Sequence, residues 1–111
     1  MTTSIKNIIP RQYAPNAQTT VYTATNCRTV IDSFSATNQS AANVTISVNL
    51  VASGGTAGAD NRVVKDRSIQ PNETYIFPEL TGQSLEPNGF ISVIASSATS
   101  LTLSASGREI T

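Results

Sequence analysis

The chain has 111 residues, of which 39% are hydrophobic and only 13% charged, with seven basic and seven acidic side chains and no histidine. That length sets one domain with a two-layer core, and zero net charge leaves no electrostatic footprint for nucleic acid or an anionic bilayer. The missing histidine removes Ser-His-Asp and Cys-His catalysis and nearly all zinc sites, and no segment reaches the ~18 apolar residues of a membrane span.

Residues 1–18 differ from the rest. Ile5, Ile8, Ile9 and Tyr13 are apolar, yet Pro10 and Pro15 bracket R-Q-Y-A, and proline removes a ladder donor. The segment is expected as an extended N-terminal arm, packed on a neighbouring subunit or on the edge of its own domain, ahead of a β-domain over residues 19–111. It holds no apolar run of signal-peptide length, which implies synthesis in a cytoplasm.

From Thr19 onward short strands alternate with turns. The predicted strands begin with Thr19–Ala24 and Thr29–Asn38, the second with Val30, Phe34 and Ala36 on one side and a bulge near Ile31. N-Q-S-A then leads into Asn43–Ala52, where Val44, Ile46, Val48 and Leu50 alternate with Thr45, Ser47 and Asn49. A period of two marks a sheet with one face in a core. Its other face is uncharged and short-chained, so Thr45, Ser47 and Asn49 join Ile5, Ile8, Ile9 and Tyr13 as candidate subunit contacts. The hairpin-sized gap after Asn38 predicts antiparallel pairing of these two strands.

Beyond the S-G-G-T-A-G-A-D loop, Asn61–Ile69 is charged enough for an edge strand. Q-P-N-E and E-P-N-G, at residues 70–73 and 86–89, place proline and asparagine at turn centres. Between and after them come Thr74–Phe77, Phe90–Ser96 and Leu101–Glu109. Seven to eight strands with no helical periodicity predict an all-β, antiparallel β-sandwich or jelly-roll-like fold. Aromatics are 5%, so the core rests on Val, Ile, Leu and Ala. Such a thin core, with no net charge to oppose association, points to a homo-oligomer.

Chemistry is hard to place in this composition. Cys27 is the single cysteine, so no intrachain disulfide forms, and beside Arg28 it has no base to make it a nucleophile. The glycine-rich loop lacks the lysine and helix of a phosphate loop. Asp60, Asn61 and Asp66 match no calcium-loop spacing. Glu73, Glu79 and Glu86 sit at turns without an aromatic platform, and tryptophan is absent, which disfavours both glycoside hydrolysis and carbohydrate binding. Sequons at Asn38, Asn43 and Asn72 are the chance yield of an Asn/Ser/Thr-rich chain. No enzymatic activity, cofactor or metal is expected.

Together, T-V-Y-T at Thr20–Thr23, N-Q-S-A-A-N-V-T-I-S-V at Asn38–Val48, V-A-S-G-G-T-A-G at Val51–Gly58, P-N-E-T-Y at Pro71–Tyr75 and the closing L-T-L-S-A-S-G-R-E-I resemble small structural proteins of tailed bacteriophages. The likeness covers residues 19–111 and rests on turn and strand patterns, and it carries no catalytic residue. Ser35 and Ala36 stand where that family usually has larger aliphatics. The resemblance implies a virion protein, foremost a capsid decoration (cement) protein: a homotrimer seated on a major capsid protein or other virion subunit, with the arm reaching a neighbour. A neck, collar or tail position is the second implication. A free receptor- or carbohydrate-binding module is the reading of a different class.

Overall fold

A computed structural model describes residues 2–111. Within them the strands are β1 Thr3–Tyr13, β2 Thr19–Thr23, β3 Arg28–Asn38, β4 Val44–Val51, β5 Arg62–Ile69, β6 Thr74–Ile76, β7 Ser84–Leu85, β8 Phe90–Ala95 and β9 Leu101–Ile110, with a 3-10 turn at Ala59–Asn61. They form two sheets. Sheet A has the order β1-β9-β3-β6, with β7 also beside β3, and sheet B the order β2-β8-β4-β5.

All pairings are antiparallel, and four of them nest: β1 with β9, β2 with β8, β3 with β6 and β4 with β5. The chain is therefore one long antiparallel ribbon that doubles back at residues 52–61. The ribbon is rolled so that β9 also meets β3 and β8 meets β4. That is the eight-stranded jelly roll, with β7 as a two-residue addition.

Local chemistry sets the turns. Glu73 N–H donates to Gln70 O at 3.0 Å and Gly89 N–H to Glu86 O at 2.9 Å. In each turn proline presets one central residue, and the asparagine after it takes a left-handed φ of 66° (Asn72 and Asn88), which asparagine tolerates better than most residues. The bulge expected near Ile31 is present, as a register shift between Ile31 and Ser33. It lets Ile31 and Phe34 both face inward, while Val30 stays half-buried. Gly107 lies opposite, where a Cβ would come within 2.3 Å of the Val30 carbonyl oxygen.

The core between the sheets is mostly aliphatic, with Ile9, Ile31, Ile46, Ile91, Leu101 and Leu103 fully enclosed. Phe34 and Tyr75 each pack edge-on against Phe77, with ring centroids 5.2 and 4.8 Å apart. The Arg67 guanidinium lies 3.9 Å above the Tyr75 ring and closes the seam between β5 and β6.

The expected hairpin of β3 and β4 is not formed. The two strands lie in different sheets and face each other across the core. Both edges of β3 are taken, by β9 on one side and by β6 and β7 on the other. Residues 39–43 form an arch pinned by Asn38, which is 1% exposed. Its Nδ2 donates to the carbonyls of Ala42 and Ile69, both at 2.8 Å, and its Oδ1 accepts from Ser40 N–H and Oγ–H. Crossing between layers buries the apolar faces of Phe34 and Ala36 against those of Ile46 and Val48, which flat pairing would leave open.

Residues 3–13, expected as part of an arm, form the eleven-residue edge strand β1. Register shifts between Lys6 and Ile9 and between Ile9 and Gln12 accommodate Pro10 and turn both Ile8 and Ile9 into the core.

Candidate assembly surface

The seven residues singled out in the sequence divide between interior and surface. Ile8 and Ile9, at 4% and 0% exposed, are committed to the chain's own core, whereas Ile5 at 87% and Tyr13 at 53% stand in the open. Thr45 is half-buried. Ser47 and Asn49 are buried, because the chain roofs its own polar row on β4. Ser47 Oγ accepts from the Asp66 N–H at 2.9 Å and braces a bulge in β5, where Asp66 has a φ of 48°. Asn49 Nδ2 donates to Gly58 O at 2.9 Å and Asn61 Oδ1 at 2.7 Å, and so holds the glycine-rich loop over β4. Gln18 Nε2 covers Ser92 in the same way at 2.7 Å.

The open, uncharged face belongs to sheet A. Antiparallel register sets Ser33 beside Ser106, Ser35 beside Ser104 and Thr37 beside Thr102 on the outer side of β3 and β9, and Thr74 of β6 continues the last row. All seven are exposed or half-buried. Thr37 and Thr74 hydroxyls are 2.8 Å apart, and Gln39 Nε2 donates to Thr102 Oγ1 at 3.5 Å. Ile76, 63% exposed, flanks this pavement on β6, and Tyr13, paired with Thr102, flanks it on β1. Charge enters at one end, where Arg108 grips Asp32 through Nε and Nη2 at 3.0–3.2 Å. The row was visible in L-T-L-S-A-S-G, since Thr102, Ser104 and Ser106 alternate with the apolar positions.

Hydroxyl paving of this kind has a definite physical capacity. Each Ser or Thr both donates and accepts, none ionises in the ordinary pH range, and short side chains lose little entropy on contact. Such a face can lie against another protein without the desolvation cost of buried charge.

Several other polar groups are tied into local structure, whereas Asn49 Oδ1 and Arg62 Nε are buried without a partner. Tyr22 O–H donates to Glu109 Oε2, the Tyr22 and Thr29 hydroxyls are 2.7 Å apart, and Lys6 Nζ lies 3.4 Å from Glu109. Burial, then the Glu109 acceptor, raise the Tyr22 phenol well above its ordinary value. Cys27 Sγ sits 3.7 Å from Thr29 Oγ1, at 4% exposure. Glu73 accepts from the Gln70 N–H, Glu79 from the Tyr75 hydroxyl, and Glu86 pairs with Arg28. The three acids thus serve separate partners. No group of three or more His, Cys, Asp or Glu side chains suited to a metal ion occurs among the described residues.

No protein-family model matches the chain, and no curated protein sequence matches it. One solved structure does, by fold: a chain in the structure of infectious bursal disease virus, Gx strain, at 14% identity and a TM-score of 0.54. The fold is shared. The match covers 97% of this chain and 32% of the viral one, so the present chain spans about a third of that chain's length.

Proposed function

We propose that this chain is a non-enzymatic structural subunit of a virion, and more specifically a decoration protein that cements the head of a tailed bacteriophage, bound as a homotrimer to a major capsid protein. The observation that carries the reading is the hydroxyl-paved outer face of sheet A, open and uncharged across β6, β3 and β9. A compact jelly roll with one uncharged, hydroxyl-lined face is suited to lying on a repeated lattice. The fold likeness to a chain of a virus structure supports the reading as analogy, and the sequence resemblance supplies the phage context. Each contact is modest, and many copies together stabilise a shell.

The test has three arms. Densitometry of purified virions is expected to give hundreds of copies per particle, whereas a neck, collar or tail component gives few. Particles lacking the protein are expected to melt at a lower temperature than decorated ones. Ser104→Arg, on the open face, is expected to change the stability of the isolated chain by no more than about 0.5 kcal/mol. The buried charge it would introduce at a docked face is expected to weaken virion binding by about tenfold or more. Absence of the protein from virions, or full occupancy by the Ser104→Arg variant, refutes the assignment.

A further inference from the structure

Three of the four sheet edges are guarded against strand addition. β5 carries Lys65, Arg67 and the Asp66 bulge. β2 has five residues with a register break between Thr20 and Tyr22. β6 has three residues, with Pro78 soon after. These are the devices by which natural sheets blunt their edges. The fourth edge, β1, has its two register breaks and Pro10 in its second half, and its first half carries a single charge, Lys6, whose Nζ is drawn to 3.4 Å from Glu109 on β9.

Its first half has a defined hydrogen-bonding phase. Thr2 and Thr111 exchange both backbone bonds, at 3.0 and 2.9 Å, and the register continues in step through Ser4↔Glu109 and Lys6↔Gly107. Ser4 and Lys6 therefore direct their N–H and C=O groups to β9, and Thr3 and Ile5 direct theirs to the free edge. The Ile5 side chain, 87% exposed, stands on the outer side of the sheet in the row of Arg108 and Val30.

We propose that residues 3–6 pair antiparallel with the same segment of a second copy, about a twofold axis between the two Ser4 residues. In that register Thr3 of each copy faces Ile5 of the other. Two reciprocal pairs then make four backbone hydrogen bonds, none of them drawn from the bulged half of the strand. On the outer side each Ile5 meets the Thr3 methyl group of the other copy, with Ile110 next in the row, because Thr3 pairs with Ile110. The two Lys6 side chains fall four residues out of register, roughly 13 Å apart along the strand, so no like charges oppose each other. An isologous contact requires this self-complementarity. The contact joins two copies of sheet A edge to edge, can bridge single chains or trimers alike, and does not depend on the virion reading.

The register is tested by Ser4→Cys. It would place two thiols opposite each other in a non-hydrogen-bonded pair, with Cα atoms about 4.5 Å apart, within disulfide range. Mild oxidation at roughly 1 mM chain, a concentration suited to so small an interface, is expected to yield a covalent dimer. Ser33→Cys, on the outer face of the same sheet, is expected not to. Ile5→Pro, which deletes a rung donor and the apolar side chain, is expected to halve the wild-type mass in sedimentation equilibrium while circular dichroism retains its β signature. A wild-type chain monomeric at that concentration, equal crosslinking by both cysteine variants, or an unchanged mass for a folded Ile5→Pro variant overturns the proposal. So does protection of the Thr3 and Ile5 amides from hydrogen exchange only within virions, which assigns the edge to a different subunit.

Discussion

Tyr22 shows how a single side chain ties the two sheets together at one end of the sandwich. It lies on β2 in sheet B, and its hydroxyl donates to Glu109 on β9 and meets Thr29 on β3, both in sheet A. Burial, with Glu109 as acceptor, raises the phenol's folded value above that of the unfolded chain. An acid so raised stabilises the fold fully below its unfolded value, near 10 for tyrosine. That stability is lost as pH rises beyond it, because the unfolded chain then releases a proton the folded chain retains. Wild-type protein is therefore expected to lose stability between pH 10 and the folded value more steeply than Tyr22→Phe, by urea unfolding at stepped pH. Equal slopes would show that the phenol's proton is not linked to folding. By contrast, Arg28–Glu86, with side chains 56% and 67% exposed, is a pair whose removal is expected to change little.

At the scale of elements, the arch between β3 and β4 decides which strands can pair. Asn38 makes four hydrogen bonds there and also anchors Ile69 of β5, so it ties the tip of one strand to the opposite sheet. Asn38→Ala would leave the buried Ile69 carbonyl and the half-buried Ser40 N–H without this partner, at about 1–3 kcal/mol, read as a lower urea midpoint. A loss below about 0.5 kcal/mol would mean the arch holds without it. Strand positions were legible in the sequence from Thr19 onward, because alternation and Pro-Asn turns are local signals. The pairing of β3 with β4 expected from the sequence does not form, because a five-residue gap fits a hairpin and an arch equally well. What separates them is whether the edges of β3 are already occupied, and that depends on β9, some seventy residues away.

For the molecule as a whole, the nested pairing of first strand with last has a kinetic consequence. No β1–β9 contact can form until nearly the entire chain is in place, and the β2–β8 contact is scarcely more local. Refolding is expected on the millisecond-to-second scale typical of non-local β proteins, measurable by stopped-flow fluorescence of the tyrosines. A single microsecond phase would contradict the rolled-ribbon topology. The same nesting places residues 3–13 in the sheet: β1 is the ribbon partner of β9 and takes the edge of β9 that β3 leaves open.

Composition and periodicity by themselves determined that this chain is all-β and two-layered, where most of its strands begin and end, and that its core is aliphatic. Those properties follow from side-chain chemistry acting over a few residues. Tertiary structure alone decided which polar row is open. Thr45, Ser47 and Asn49 read as a surface, yet the loop after β4 and the bulge in β5 fold back to cover most of it. Ser33, Ser35, Thr37, Thr102, Ser104 and Ser106 form the open face of sheet A instead. Alternation tells which residues share a side of a strand. What lies over that side depends on segments remote in the chain, and local pattern carries no information about them.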